Sequence, residues 1–120
     1  MTYYKKTNKY HNKKVIIDGF KFDSKLEAQR YTELKLMQKQ GLIKDLELQK
    51  TYLLIPTFKK NDTTFKRASY IADFVYYDNT LNKTIVEDTK GFKTDLYLLK
   101  KKLFEYLYKD LSIREIKRRS

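Results

Sequence analysis

The sequence predicts a layered α/β (α+β) domain with a mixed sheet. Two observations carry this: two capped helical segments, and runs of strand-forming residues placed before, between and after them. A third is length, since 120 residues suit one modest core. A single domain over 1–120 is therefore expected, with no internal repeat and no linker to divide it. The predicted order is a β-hairpin, then helix, three strands, helix and strand.

Residues 1–13 read as a basic arm, with Tyr3, Tyr4 and Tyr10 interleaved among lysines. Such a segment suits a frayed tail, or an arm that tracks phosphates and stacks bases. In "VIIDGFKFD" the Asp18-Gly19 pair between two β-rich runs is a strong hairpin signal. Ser24 opens a helix that runs to about Gln40 and stops at Gly41, and "SKLE" is a capping box of Ser24 and Glu27. "IKDLELQKTYLLI" alternates and reads as extended up to Pro56, and residues 57–65 read as polar loop. "KRASYIADFVYY" is a second strand, "DNTLNK" a turn and "TIVEDTKG" a third strand. Thr94 caps a second helix through about Lys109, "SIREI" is a short last strand, and 117–120 is a basic tail.

Composition narrows the function. The chain has 27 basic residues against 15 acidic ones, a formal charge of +12. A polyanion is the natural partner, nucleic acid or an anionic membrane surface, although 22 of the 27 are Lys and a lysine-rich proteome inflates the charge by itself. No apolar run approaches the ~20 residues needed to span a bilayer. "MTYYKKTNKYHNKK" has no apolar segment of the secretory kind, and the lack of Cys fits a reducing cytoplasm. With His11 as the single His and no Cys, histidine–metal and thiol chemistry are nearly excluded.

The charges inside apolar segments are the candidates for chemistry. Side chains alternate along a strand, so Asp88 and Lys90 share one face of "IVEDTKG" and Glu87 and Thr89 the other. Asp88 with Lys90 is either a structural ion pair or a catalytic pair, and Glu87 is expected at the surface in a solubilising role. Asp73 interrupts the apolar strand "YIADFVYY", with Ile71 and Val75 on its own face, and needs a cation, a metal or backbone donors. If these strands pair antiparallel through "DNTLNK", two acids converge, and a divalent ion can join them. On the first helix, Glu27 and Arg30 fall inside the arc of Leu26, Tyr31, Leu34 and Met37. Capping, or a Glu27–Arg30 pair, explains Glu27 without function. On the second helix, Lys100 lies within the stripe of Leu96, Leu99, Leu103, Phe104 and Leu107, while Lys101 and Lys102 lie outside it. Lys100 either snorkels or reaches toward the strand end carrying Asp88 and Lys90.

An acid on the first helix, then "AD" in one strand and "EDTK" in the next, resembles the PD-(D/E)xK nuclease superfamily. Glu27, Asp73, Asp88 and Lys90 match its motif positions, and Ala72 stands where the motif has proline. "YHNKKVIIDGFKFDSKLEAQRY", "YIADFVYY" and "EDTKGFKTDLYLLKKKLFEY" are similar to small phage-encoded nucleases described as Holliday-junction-resolvase-like. The resemblance implies a restriction-endonuclease-like core and metal-assisted hydrolysis of DNA phosphodiesters, in the host cytoplasm if phage-encoded. It implies Mg²⁺, with Mn²⁺ as a substitute, held by Asp73, Asp88, Glu27 and the Thr89 carbonyl, with Lys90 acting on the scissile phosphate or the attacking water. Lys93, Thr94 and Lys100 are the expected DNA contacts. Resolving a junction takes two cuts, so a homodimer is expected, with the hairpin at 14–22 and the N-terminal arm as interface elements. The competing readings are a basic nucleic-acid-binding protein without catalysis and a nicking or flap-cutting nuclease of the same fold.

Overall fold

The computed structural model describes residues 14–90 and 92–117. The basic arm at 1–13, with its tyrosines and His11, lies outside the described residues, as does the tail beyond Lys117. The described chain is mixed α+β, with two helices and a mixed four-stranded sheet. Strands β1 (Val15–Ile17) and β2 (Phe20–Phe22) form a hairpin whose turn residues Asp18 and Gly19 both have positive φ, the type I′ geometry. Helix α1 (Lys25–Lys39) follows, N-capped by the Ser24 hydroxyl, which accepts from the Glu27 amide.

The sheet is built from β3 (Ile43–Ile55), β6 (Ala68–Asp78), β7 (Lys83–Thr89) and β8 (Ile113–Ile116), in that spatial order. The β3–β6 and β6–β7 pairs are antiparallel, and β7–β8 is parallel. A parallel pair needs a crossover, and α2 (Asp95–Leu107) supplies it. Thr94 caps α2 by accepting from the Tyr97 amide.

Each helix has its own half of the core. Phe22, Ala28, Tyr31, Leu34, Phe74, Tyr76 and Ile85 pack together on the α1 face. Tyr52, Tyr70, Ala72, Val75, Val86, Tyr97 and Phe104 pack together on the α2 face.

Three expectations are corrected. Residues 57–65 are not a plain loop: β4 (Phe58–Lys60) and β5 (Thr63–Phe65) form a second hairpin. Its turn residues Asn61 and Asp62 both have positive φ. Asn-Asp supports a type I′ turn less strongly than a pair containing Gly, and the polar residues around it hid the strands. The buried stripe of α2 is Tyr97 and Phe104, while Leu96, Leu99 and Leu107 are exposed. Ring packing decides this phase, since Phe104 meets Tyr52 and Tyr70 edge to face, 5.1 and 5.5 Å between centroids. Lys101 therefore turns toward β8, pairing with Glu115.

Third, Asp73 does not share a regular strand face with Ile71 and Val75. Tyr70 and Ala72 lie on the α2 face, but Phe74 and Tyr76 lie on the α1 face, so alternation breaks at Asp73. Strand β3 breaks at the same level: Leu46 and Leu48 pack on the α1 side, Tyr52 and Leu54 on the α2 side. The register passes from Leu48↔Phe74 to Lys50↔Ala72 without a pair between, and Gln49 there has φ +55. This local half-twist frees the Asp73 side chain from the ladder at the level where β7 ends.

Candidate functional site

The β6–β7 ladder reaches Phe74↔Glu87 at this end, so Asp73 and Asp88 stand level just beyond it. Asp73 Oδ2 accepts from both the amide and the hydroxyl of Thr89, each at 2.8 Å. Among the described residues no donor reaches its Oδ1. Burial pushes the Asp73 carboxyl above its usual range, and the charge of Asp88 adds to the shift.

Glu27 arrives from the first turn of α1. It is not a simple capping partner: its Oε1 accepts from the Asp23 amide at 3.3 Å, and its Oε2 accepts from the Gln49 side-chain amide at 3.1 Å. Burial first, and then the charge of Asp73, raise its pKa to about 7. The neighbouring Arg30 does not pair with Glu27 but reaches across to β7.

Asp88 is buried on the α2 side of the sheet, where its Oδ2 accepts from the Tyr70 hydroxyl at 2.6 Å. Lys90 Nζ lies 3.1 Å from Asp88 Oδ1 and 4.2 Å from the Tyr97 ring centroid. Asp88 and Lys90 thus come together as their spacing predicts. Burial, followed by the bond to Asp88, pushes the Tyr70 hydroxyl far above its ordinary range, so it remains a donor.

Glu87 corrects the expectation of a surface residue. It faces opposite to Asp88, but into the α1 side, and none of it is exposed. Arg30 grips it with Nε at 2.8 Å and Nη2 at 2.6 Å, and the Tyr76 hydroxyl donates to it as well. Face parity is thus right for Glu87, and its environment is the reverse of the one expected.

An open cleft of about 760 Å³ is lined by Glu27, Asp73, Thr89, Lys90, Lys93 and Lys117 among others, while the buried Asp88 lies behind its wall and does not line it. Lys93 Nζ sits 2.9 Å from Glu115, which Lys101 and the Tyr97 hydroxyl also bind. The Lys93 bond is the main cause that holds the Glu115 carboxyl down to about 2. The Thr94 hydroxyl is engaged as the α2 cap, and Lys100 is half-buried on α2 without lining the cleft. Gln49 and Tyr70 were missed from the sequence. Gln49 enters through a left-handed backbone that no strand pattern announces, and Tyr70 reads as one more core aromatic.

The donor set is carboxylate oxygen, with Asp73 Oδ1 unengaged among the described residues, a set whose chemistry fits a hard divalent cation such as Mg²⁺. Among the described residues, no three of His, Cys, Asp and Glu form a preassembled ligand group. Asp88 and Glu27 are each engaged by protein donors, contacts that a cation bound there would have to displace.

A family model described as "Protein of unknown function (DUF1064)" matches residues 7–120. The chain belongs to that family. No curated protein and no solved structure matches this DUF1064 chain. No helix among the described residues is long and apolar enough to cross a membrane.

The raised carboxyl of Glu27 gives a stability prediction. Its pKa is about 7 in the fold against 4.5 ordinarily. Its contribution is therefore fully present below about 4.5 and lost as pH rises through about 7. In chelator, Tm is expected to fall from pH 5 to pH 8, and Glu27→Gln to flatten that slope. A profile of Tm against pH that is identical for the two proteins would contradict the assignment.

Proposed function

We propose that this protein is a divalent-metal-dependent DNA endonuclease with a restriction-endonuclease-like core, cutting branched DNA such as a Holliday junction. The observation that carries this is the meeting of Glu27, Asp73, Asp88 and Lys90 where the β6–β7 ladder ends, beside an open cleft. Three acids gathered in one half-buried place are costly unless a cation serves them, and the chain as a whole is strongly basic. The passage from α1 through β3, β6 and β7 to α2 and β8 supports the core assignment, with the β4–β5 hairpin as an insertion.

Mg²⁺ is the proposed ion, with Mn²⁺ as a substitute, and it supplies Lewis-acid polarisation of the phosphate and a lowered pKa for a bound water. Asp73, Asp88, Glu27 and the Thr89 carbonyl would hold it. Lys90, held beside Asp88 and the Tyr97 ring, would supply an ammonium to stabilise charge developing on the scissile phosphate. Lys93 and Lys117 on the cleft wall attract the DNA backbone. Cleavage of supercoiled plasmid and of a synthetic four-way junction with Mg²⁺ or Mn²⁺ tests the reading; no product with either ion overturns it.

One observation favours the second reading, a non-catalytic DNA-binding protein: Asp88 and Glu27 already have protein partners. Under it, DNA is bound equally with chelator and with Mg²⁺, and is never cut.

A homodimer belongs to the proposal, because one chain offers one site and a junction needs two cuts. The exposed flank of α2 is a candidate interface beside the β1–β2 hairpin, where Ile16 and Phe20 are exposed. Leu96, Leu99 and Tyr106 are 61%, 53% and 69% exposed and lie along one seam of α2, while Leu103 between them is half-buried and packs against the core. Two copies of α2 packed antiparallel about a two-fold bury this seam. Light scattering is expected to give a dimer mass for the parent and a monomer mass for Leu99→Glu. A monomeric parent, both free and on DNA, sinks this part of the proposal.

A further inference from the structure

The β4–β5 hairpin has no role in the cleft. It continues the β3–β6 ribbon beyond Ile55 and Ala68, closed at its base by the Arg67 amide donating to the Thr57 hydroxyl at 3.0 Å. Every residue of both strands is exposed, and the hairpin's substantial contacts are between its own two strands. A two-stranded ribbon with no body to pack on is marginal in water, so its exposed apolar surface calls for an explanation.

Its surface has a definite chemistry. Phe58 and Phe65 pair across the strands and stack at 4.9 Å and 12°, each 45% exposed. By strand alternation Lys60 shares the face of the rings and Lys59 the opposite face, Lys66 and Arg67 follow Phe65 in sequence, and Asp62 at the tip is the one acid between Thr57 and Arg67. Aromatic rings set among cations suit a polyanion that also presents flat apolar faces, which is nucleic acid with unstacked bases. A lipid surface offers the charge without those faces.

The location fits the same partner. Residues Ala68–Ala72 of β6 extend past the end of β7, so the ribbon leaves the sheet on the side where Asp73 and Asp88 stand. At about 3.3 Å per residue, Phe65 is no more than roughly 26 Å from Asp73, less than one turn of duplex.

We infer that the β4–β5 ribbon is a DNA-branch-binding element: Phe58 and Phe65 lie against unstacked bases at the branch point, and the four cations neutralise the phosphates on either side. This rests on the DNA reading of the cleft, but not on cleavage. The test is gel-shift binding in EDTA, where nothing is cut, to a four-way junction, to linear duplex of equal length and, in parallel, to anionic vesicles. Phe58→Ala with Phe65→Ala is expected to weaken junction binding about tenfold or more and duplex binding little, with the salt slope unchanged. Phe58→Tyr with Phe65→Tyr is expected to keep the preference, which separates loss of the rings from collapse of the hairpin. Changing the four cations to Ala is expected to lower the salt slope by about 3 to 4 units on both DNAs. Equal loss on junction and duplex in the Phe→Ala pair, no loss on either, or tighter binding to vesicles than to DNA overturns the inference. Junction binding that behaves as described by a protein that cuts nothing leaves the ribbon standing and removes the nuclease. Cleavage that persists with unchanged binding in the Phe→Ala pair does the reverse.

Discussion

Asp88→Asn is expected to abolish cleavage while leaving DNA binding and folding intact. The amide keeps the carboxylate's shape, so the Tyr70 hydroxyl can still donate to it, and the site stays filled. What disappears is a negative charge in a buried place, the charge that pairs with Lys90 and, under the proposed function, would anchor Mg²⁺. In water such a charge is screened, but at 4% exposure its loss is felt almost in full. The expected drop in single-turnover rate is on the order of 10²- to 10³-fold or more, the cost of removing one preorganised charge partner. Lys90→Ala is expected to fall in the same range. Binding persists in both because phosphate contacts spread over a +12 chain supply most non-specific affinity. Single-turnover cleavage and gel shift at matched salt, with a melt of each variant, check this. Asp88→Asn cutting at the parent's rate would show that the site lies elsewhere.

What the sequence made legible were the features set by local rules. Asp18-Gly19, the Ser24 and Thr94 caps and the alternation of β7 each depend on a few neighbouring residues, and each stands in the fold. The misses depend on partners far away in the chain. The phase of α2 follows from rings on β3 and β6, where Tyr52 and Tyr70 select Phe104 and leave three leucines outside. The half-twist at Gln49 and Asp73 reverses which face each strand shows to each helix, so counting by two across it assigned Ile71 and Val75 wrongly. Glu27, Asp73, Asp88 and Lys90 could be singled out because charge in an apolar setting is visible in sequence. Gln49 and Tyr70, which orient two of the acids, carry no such mark.

Glu87 supplies the second large effect, now on stability. Its carboxylate is fully buried, and Arg30 meets it through two hydrogen bonds while its own side chain is 16% exposed. A buried pair adds little net stability over an apolar pair, but removing one partner strands the other charge out of water. Among the described residues, Arg30→Met leaves Glu87 hydrogen-bonded to the Tyr76 hydroxyl, with Arg114 Nη1 3.5 Å from that hydroxyl, and is expected to cost about 3 to 5 kcal/mol. Glu87→Gln is expected to cost less, because Arg30 still has Glu33 at 2.9 Å and some access to solvent. The double variant is expected to be more stable than the sum of the two single losses, since no lone charge remains buried. The position of the pair links it to the cleft. Arg30 lies one turn beyond Glu27 on α1, and Glu87 adjoins Asp88 on β7, so their bond sets the distance between the carboxylates the two elements carry. Urea unfolding of the four proteins gives the coupling energy directly. Arg30→Met unfolding at the parent's midpoint, or strict additivity in the cycle, would show that the pair holds nothing in place.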